Sequence, residues 1–164
     1  MVAPILSSQE VDDFIILRAV ALTNRVQRTL MRDVLKTHDL PLLEWRILFS
    51  IARFGDCHLG YICKMTSLDP AHGSRAVGHL EARGLIERYI DPKDNRRRLM
   101  RFTPKGRSIF DQAWPEAQTL IKQITDGFDE QELSILKKLL DRANGIANTL
   151  LEESLQSKAA RDAA

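Results

Sequence analysis

"DPKDNRRRLMRFTPKGR", residues 91–107, decides how this chain is read. The turn-forming "DPKDN" lies between "LIERYI" at 85–90 and "RRLMRF" at 97–102, two segments rich in apolar and aromatic residues. That arrangement predicts a two-stranded hairpin. Thr103-Pro104 then opens a helix, since a hydroxyl caps free backbone N–H groups and proline at the first helical position lacks the N–H that would be orphaned anyway. The stretch is also a charge cluster: from Arg88 to Arg107 eight Lys or Arg stand against two Asp, a net of +6, while the whole chain is +2. The rest of the chain is therefore slightly acidic, and the cluster has the form of a polyanion-binding patch.

On the N-terminal side, "DPAHGSRAVGHLEARG" at 69–84 begins with the same cap-then-proline signal and ends in glycine, predicting a helix. Before it, "PLLEWRILFSIARFG" at 41–55 places Leu42, Trp45, Leu48 and Ala52 on one side of a helix that Gly55 ends, and a short helix is expected at about 58–65. The first helix is expected to start at the capping box Ser7-Ser8-Gln9-Glu10 and to run to about Thr37, with Leu22, Val26, Leu30 and Val34 repeating every four residues. Beyond the hairpin, the helix opened by Pro104 carries Phe110, Ala113, Trp114, Ala117, Leu120, Ile121 and Ile124, and Pro115 should kink or split it after Trp114. A last helix starts at the capping box Asp129 to Glu132, and Leu133, Leu136, Leu140, Ala143, Ala147 and Leu150 form a seam that needs another helix.

The fold class is thus mainly α with a small β-hairpin: a winged helix-turn-helix plus a helical dimerisation region. The winged domain spans 41–103, the dimerisation region 7–37 and 104–155, and the ends, 1–6 and 156–164, are expected to be flexible tails. Long apolar helix faces left over from the winged domain most simply bury each other in a symmetric dimer. No apolar run approaches the roughly 20 residues that span a membrane, and the N-terminal residues lack the pattern of a signal peptide. A cytoplasmic protein without membrane association is expected.

From about Pro41 to Arg107 the chain resembles the MarR (multiple antibiotic resistance regulator) family of bacterial transcription factors. The residues carrying the resemblance are "LEARGLIER" at 80–88 and the opening stretch, which follows the family's wing pattern of Asp-x-Arg, five residues, Leu-Thr, two residues, Gly, with Phe102 in place of the Leu. The resemblance implies a homodimeric DNA-binding regulator, of the repressor type, on a palindrome-like operator in double-stranded DNA. It further implies release by a small-molecule effector, such as an aromatic acid.

Candidate site residues follow. If Gly73, Ala76, Val77 and Leu80 face the core, then Ala71, His72, Ser74, Arg75 and His79 face outward, and His72 and Arg75 are placed to read bases in the major groove. The alternative is a solvated face. Gly73 and Gly78 weaken this helix by roughly 1 kcal/mol each, and close approach to DNA or a loosely held helix would account for them. At the wing tip the resemblance implies that Asp94 braces Arg96 for the minor groove, while Arg97, Arg98 and Arg101 contact phosphates or stay solvated. Arg18, Trp45 and Arg46 could line an effector cleft, as a cation and an aromatic suit an aromatic carboxylate; otherwise Trp45 is core and both arginines are surface.

Cys57, His58 and Cys63 have no zinc-site spacing, so neither metal nor cofactor is expected. The two cysteines read as reduced, buried small residues, with oxidation sensing as the alternative. No nucleophile-base motif or phosphate-cradling glycine loop is present, so the chain is not expected to be an enzyme. A rival class is a helical dimer scaffold whose basic winged domain binds an acidic protein.

Overall fold

The computed structural model describes residues 14–162, which hold six α-helices and a two-stranded antiparallel sheet. The order is α1 (Ile15–Leu30), α2 (Leu42–Phe54), α3 (Leu59–Thr66), α4 (Pro70–Ala82), β1 (Ile86–Asp91), β2 (Asp94–Phe102), α5 (Pro104–Thr125) and α6 (Glu130–Asp162). This is the mainly α, winged helix-turn-helix class expected from the sequence. The chain divides into two compact units, one ending at Leu120 and the other beginning at Ile121.

Phe14 is the N-cap of α1, so helix is seen from Ile15 onward; the capping box at Ser7 to Glu10 and the 1–6 segment lie outside the described residues. The helix passes into a π-helical turn, Met31–Leu35, and the chain leaves it through Asp39, whose φ is 50°. α1 buries no residue of its own, and the core begins at Val34 and Leu35. α2 buries Trp45, Ile47, Leu48 and Ile51, and Gly55 ends it at φ 75°. Ala52, expected on the apolar side, is exposed, because that face centres on Leu48 and Ile51.

α3 and α4 form the helix-turn-helix. His58 Nδ1 accepts the Tyr61 N–H at 3.1 Å to start α3, and Asp69 accepts the His72 N–H at 2.8 Å to start α4. That backbone bond also holds the Asp69 carboxyl below its usual range. Gly73 has a packing reason: a Cβ there would lie 3.0 Å from Leu59 Cδ1 and 3.2 Å from Leu68 Cδ2, so the glycine lets α4 sit close over α3. Around Gly78 there is open space.

The hairpin pairs Ile86 with Phe102 through to Ile90 with Arg98, and then Asp91 with Asp94. Asn95, Arg96 and Arg97 therefore bulge from β2 with no partner on β1, a feature that re-aims side chains. At the base, Ile86 and Met100 are buried and the Met100 N–H bonds to the Cys57 carbonyl at 2.9 Å. Thr103 locks this base to α5: its hydroxyl donates to the Gly84 carbonyl at 2.6 Å and accepts the Gly106 N–H at 3.1 Å.

Two expectations about the long helices need correction. Pro115 does not split α5, which continues to Thr125. The proline sits on the exposed side, where water can serve the carbonyl it leaves unbonded, while Phe110, Ala113 and Ala117 anchor the helix through the core. The last helix opens at its capping box as read, the Glu132 N–H donating to Asp129 and the Asp129 N–H to Glu132 at 2.8 and 2.9 Å. It does not yield to a tail at 156 but stays helical to Asp162, across a stretch of the strong helix formers Leu, Gln, Lys and Ala.

Candidate nucleic-acid interface

The recognition helix of the helix-turn-helix is α4, and it has two distinct faces. Gly73, Ala76, Val77 and Leu80 are buried, while Ala71, His72, Ser74, Arg75, Gly78 and His79 are exposed. His72 is drawn toward the cap, its Nδ1 3.2 Å from Asp69 Oδ1. Arg75 makes no side-chain hydrogen bond or ion pair with a described residue.

Half of the eight cations in the basic cluster are already paired with an acid. Arg88 bonds Glu81 from Nε at 2.8 Å; Arg107 bonds both oxygens of Asp111 at 2.8 Å. Arg101 bonds Glu87 at 2.7 Å and lies 4.8 Å above the centre of the Tyr89 ring. At the tip, Asp94 accepts the Arg96 backbone N–H at 3.0 Å, and its other oxygen pairs with Arg97 Nε at 3.0 Å. Asp94 thus holds Arg96 by its backbone and pairs with the side chain of Arg97, one position on from the side chain expected. Lys93, Arg96 and Arg98 are exposed and make no side-chain bond to a described residue.

A cavity of about 370 Å³ lies between α2 and the first part of α5, lined by Phe49, Ala52, Arg53, Arg107, Phe110, Asp111 and Trp114. The three residues expected to line a cleft are elsewhere. Trp45 is buried beneath it, stacked on Phe110 with ring centres 5.3 Å apart. Arg46 donates to the Thr66 carbonyl at 2.7 Å and so closes the end of α3. Arg18 is exposed on α1. The signal that could have found this cavity was present in sequence: Phe49 and Arg53 are four apart, and Arg107, Asp111 and Trp114 follow at steps of four and three.

Burial pushes the Cys57 thiol up to about 11, helped by the neighbouring Asp56, and burial also raises the half-buried Cys63. Both are kept in the neutral, less reactive form, the opposite of what an oxidation sensor needs. Among the described residues no group of His, Cys, Asp and Glu could hold a metal ion, and no helix is long and apolar enough to cross a membrane.

A two-faced helix over a capped partner, followed by a basic hairpin locked to the next helix, defines a winged helix-turn-helix of the DNA-binding kind. Residues 38–97 match the MarR family model. The multiple antibiotic resistance protein MarR of Salmonella typhimurium (strain LT2) is 27% identical over 126 residues, 76% of this chain and 88% of its own. Two solved structures share the fold. A mutant MarR from E. coli complexed with operator DNA has a TM-score of 0.68 at 23% identity, covering 84% of this chain and 99% of that one. CouR from Rhodococcus jostii RHA1, bound to p-coumaroyl-CoA, has a TM-score of 0.73 at 23% identity, covering 85% and 96%. Over these stretches the chain is similar to the MarR family of DNA-binding transcriptional regulators.

Proposed function

We propose that this chain is a homodimeric repressor that lays α4 in the major groove and the wing tip in the minor groove of each half of a palindrome-like operator. The observation that carries the reading is the exposed polar face of α4 beside a bulge presenting Arg96. His72 and Arg75 read base edges, Arg being able to pair two-pronged with guanine. Arg96 enters the minor groove, where a narrow A/T-rich stretch concentrates negative potential. Lys93 and Arg98 bind phosphates, whereas Arg97 and Arg101 are held by Asp94 and Glu87 and act mainly on the shape of the hairpin. Exposed apolar residues on α1, such as Ile15, Ile16 and Val20, and on α6, such as Leu136, Leu140 and Leu150, support the dimer, since faces of this size are seldom left in water.

The cavity between α2 and α5 is the proposed effector site. Phe49, Phe110 and Trp114 suit a flat apolar ligand, and Arg53 and Arg107 suit its anionic group. An aromatic carboxylate fits that chemistry, with Asp111 as the group it displaces from Arg107. Selection from a random duplex pool tests the reading: it should return an inverted repeat whose half-sites lie about 34 Å apart, one helical turn. Affinity for that site should fall steeply between two salt concentrations. Absence of any selected sequence would remove the DNA-binding assignment, and failure of aromatic carboxylates to weaken the complex would remove the effector site.

A further inference from the structure

Glu44, in the first turn of α2, is a buried carboxylate: its side chain is only 5% exposed. Its counter-charge comes from the far end of the recognition helix. Arg83, the C-cap of α4, places Nη1 2.6 Å from Glu44 Oε2, and His79 Nδ1 lies 3.8 Å from the other oxygen. The same guanidinium has a second arm: Nη2 donates to the Asp39 carbonyl at 2.7 Å and meets Asp39 Oδ2 at 3.2 Å. Asp39 is the left-handed residue in the turn that leads into α2. The Arg83 carbonyl in turn accepts the Lys105 ammonium of α5 at 2.9 Å. One residue therefore ties the end of α4 to the turn before α2, to α2 itself and to the start of α5.

The recognition helix needs such a tie. Gly78 lies in open space five residues before Arg83, so nothing around it stiffens the second half of α4, and the helix contains a second glycine at position 73. Its buried face fixes how close α4 lies to the core; a bond at its last residue fixes its rotation and its slide. The bond is directional, because the planar fork of a guanidinium holds the carboxylate and the carbonyl in fixed directions from two separate nitrogens, whereas an ammonium is a point charge on a flexible stem. It is also obligatory, because a carboxylate buried to this degree is costly without its partner.

We propose that Arg83 is a positioning residue for sequence recognition: through the buried Glu44 it sets the orientation of α4, and hence how far the outward side chains of that helix can discriminate bases. It is not a DNA contact itself. The inference rests on the DNA-binding reading above, and the test separates the two.

The full-length protein is compared as wild type, Arg83→Lys, Glu44→Gln and, for the salt slope, Arg83→Gln, each titrated with the selected duplex and with a scrambled duplex of equal length at several salt concentrations. Arg83→Lys keeps the charge and loses the fork; Glu44→Gln removes the buried charge at constant size and remains available should Arg83→Lys not fold. Both should lower the ratio of specific to non-specific affinity at least tenfold, with non-specific affinity and salt slope unchanged. The double variant should lose no more than the worse single one, as expected for two halves of one bond. A ratio preserved in the folded variants would overturn the inference, as would a salt slope lower by about 1 in Arg83→Gln, the mark of a direct phosphate contact. A wild type that selects no sequence would overturn the DNA-binding reading and this inference with it; a selective wild type beside equally selective variants overturns this inference alone.

Discussion

Apolar residues have opposite fates in the two units of the molecule. Every buried apolar side chain among the described residues lies between Val34 and Ala117, in the unit that ends at Leu120. The 33-residue α6 lies in the other unit and leaves Ile135, Leu136, Leu139, Leu140, Ile146, Leu150, Leu151 and Leu155 exposed. The first unit closes a core with its own residues, which cross-pack from α2, α3, α4, the hairpin and α5. A single amphipathic helix cannot do this, since its apolar stripe faces one way and most of its stability must come from packing against another element. The contrast teaches that hydrophobicity alone does not say where a core is; the number of elements that converge on it does.

The largest test of that contrast is to charge the open stripe. Leu136→Glu with Leu140→Glu should give a monomer by sedimentation, and operator affinity should fall on the order of 100-fold as two half-sites are no longer held together. A dimer with unchanged affinity would break the comparison. Next come two glycines, one from each unit. A Cβ at Gly106 would lie 1.8 Å from the Leu85 carbonyl oxygen, so Gly106→Ala should lower unfolding free energy by about 3 kcal/mol in a denaturant titration. Gly145, inside α6, has nothing within 4 Å, and Gly145→Ala should raise stability by up to about 1 kcal/mol. Equal effects at the two sites would erase the distinction between a closed core and an open helix.

Within the wing the differences are smaller and separate paired from unpaired cations. Arg96→Ala should cost about 1 to 3 kcal/mol on the selected operator and relax preference for A/T-rich flanks, measured by competition. Arg98→Ala should weaken all sequences alike and lower the salt slope by about 1. Arg101→Ala, which removes a guanidinium already held by Glu87 and Tyr89, should leave that slope unchanged. The smallest effect is expected at Cys57. With its thiol pushed up to about 11, the protonated form persists well above neutral pH, so thiolate-directed labelling should be slow at pH 8 and speed up as pH rises toward that value. Rapid labelling at pH 8, with loss of operator binding, would reinstate the oxidation sensor.

How much of this was legible beforehand depended on distance along the chain. Local signals were read well: the caps at Asp69, Thr103 and Asp129, the end at Gly55 and the existence of the hairpin all rest on bonds within a few residues. The exposed side of α4 was legible for the same reason, from its 3-4 spacing. What escaped were pairings between distant residues. Nothing local joins Glu44 to Arg83, 39 positions on. Pro115 was misjudged because helix propensity is local while the anchoring at Phe110, Ala113 and Ala117 is not. The bulge at residues 95–97 was missed because a strand pattern does not reveal its register.

The lock at the base of the wing has a mechanical consequence. Thr103 bonds both to Gly84, just before β1, and to Gly106 in the first turn of α5, and the Leu85 carbonyl sits where a side chain at 106 would be. Wing and helix start are thus one rigid body with a long arm. From the Ile86–Phe102 pair to the Asp91–Asp94 pair the arm extends about 16 Å along β1 at roughly 3.3 Å per residue, so a tilt of α5 by about 5° moves the tip by about 1.4 Å. A shift of that size exceeds the range of about 0.5 Å over which N–H···O bonds are made. On the proposed reading, a ligand wedged beside Arg107, one turn along the same helix, would need to shift its surroundings very little to lift Arg96 out of a groove.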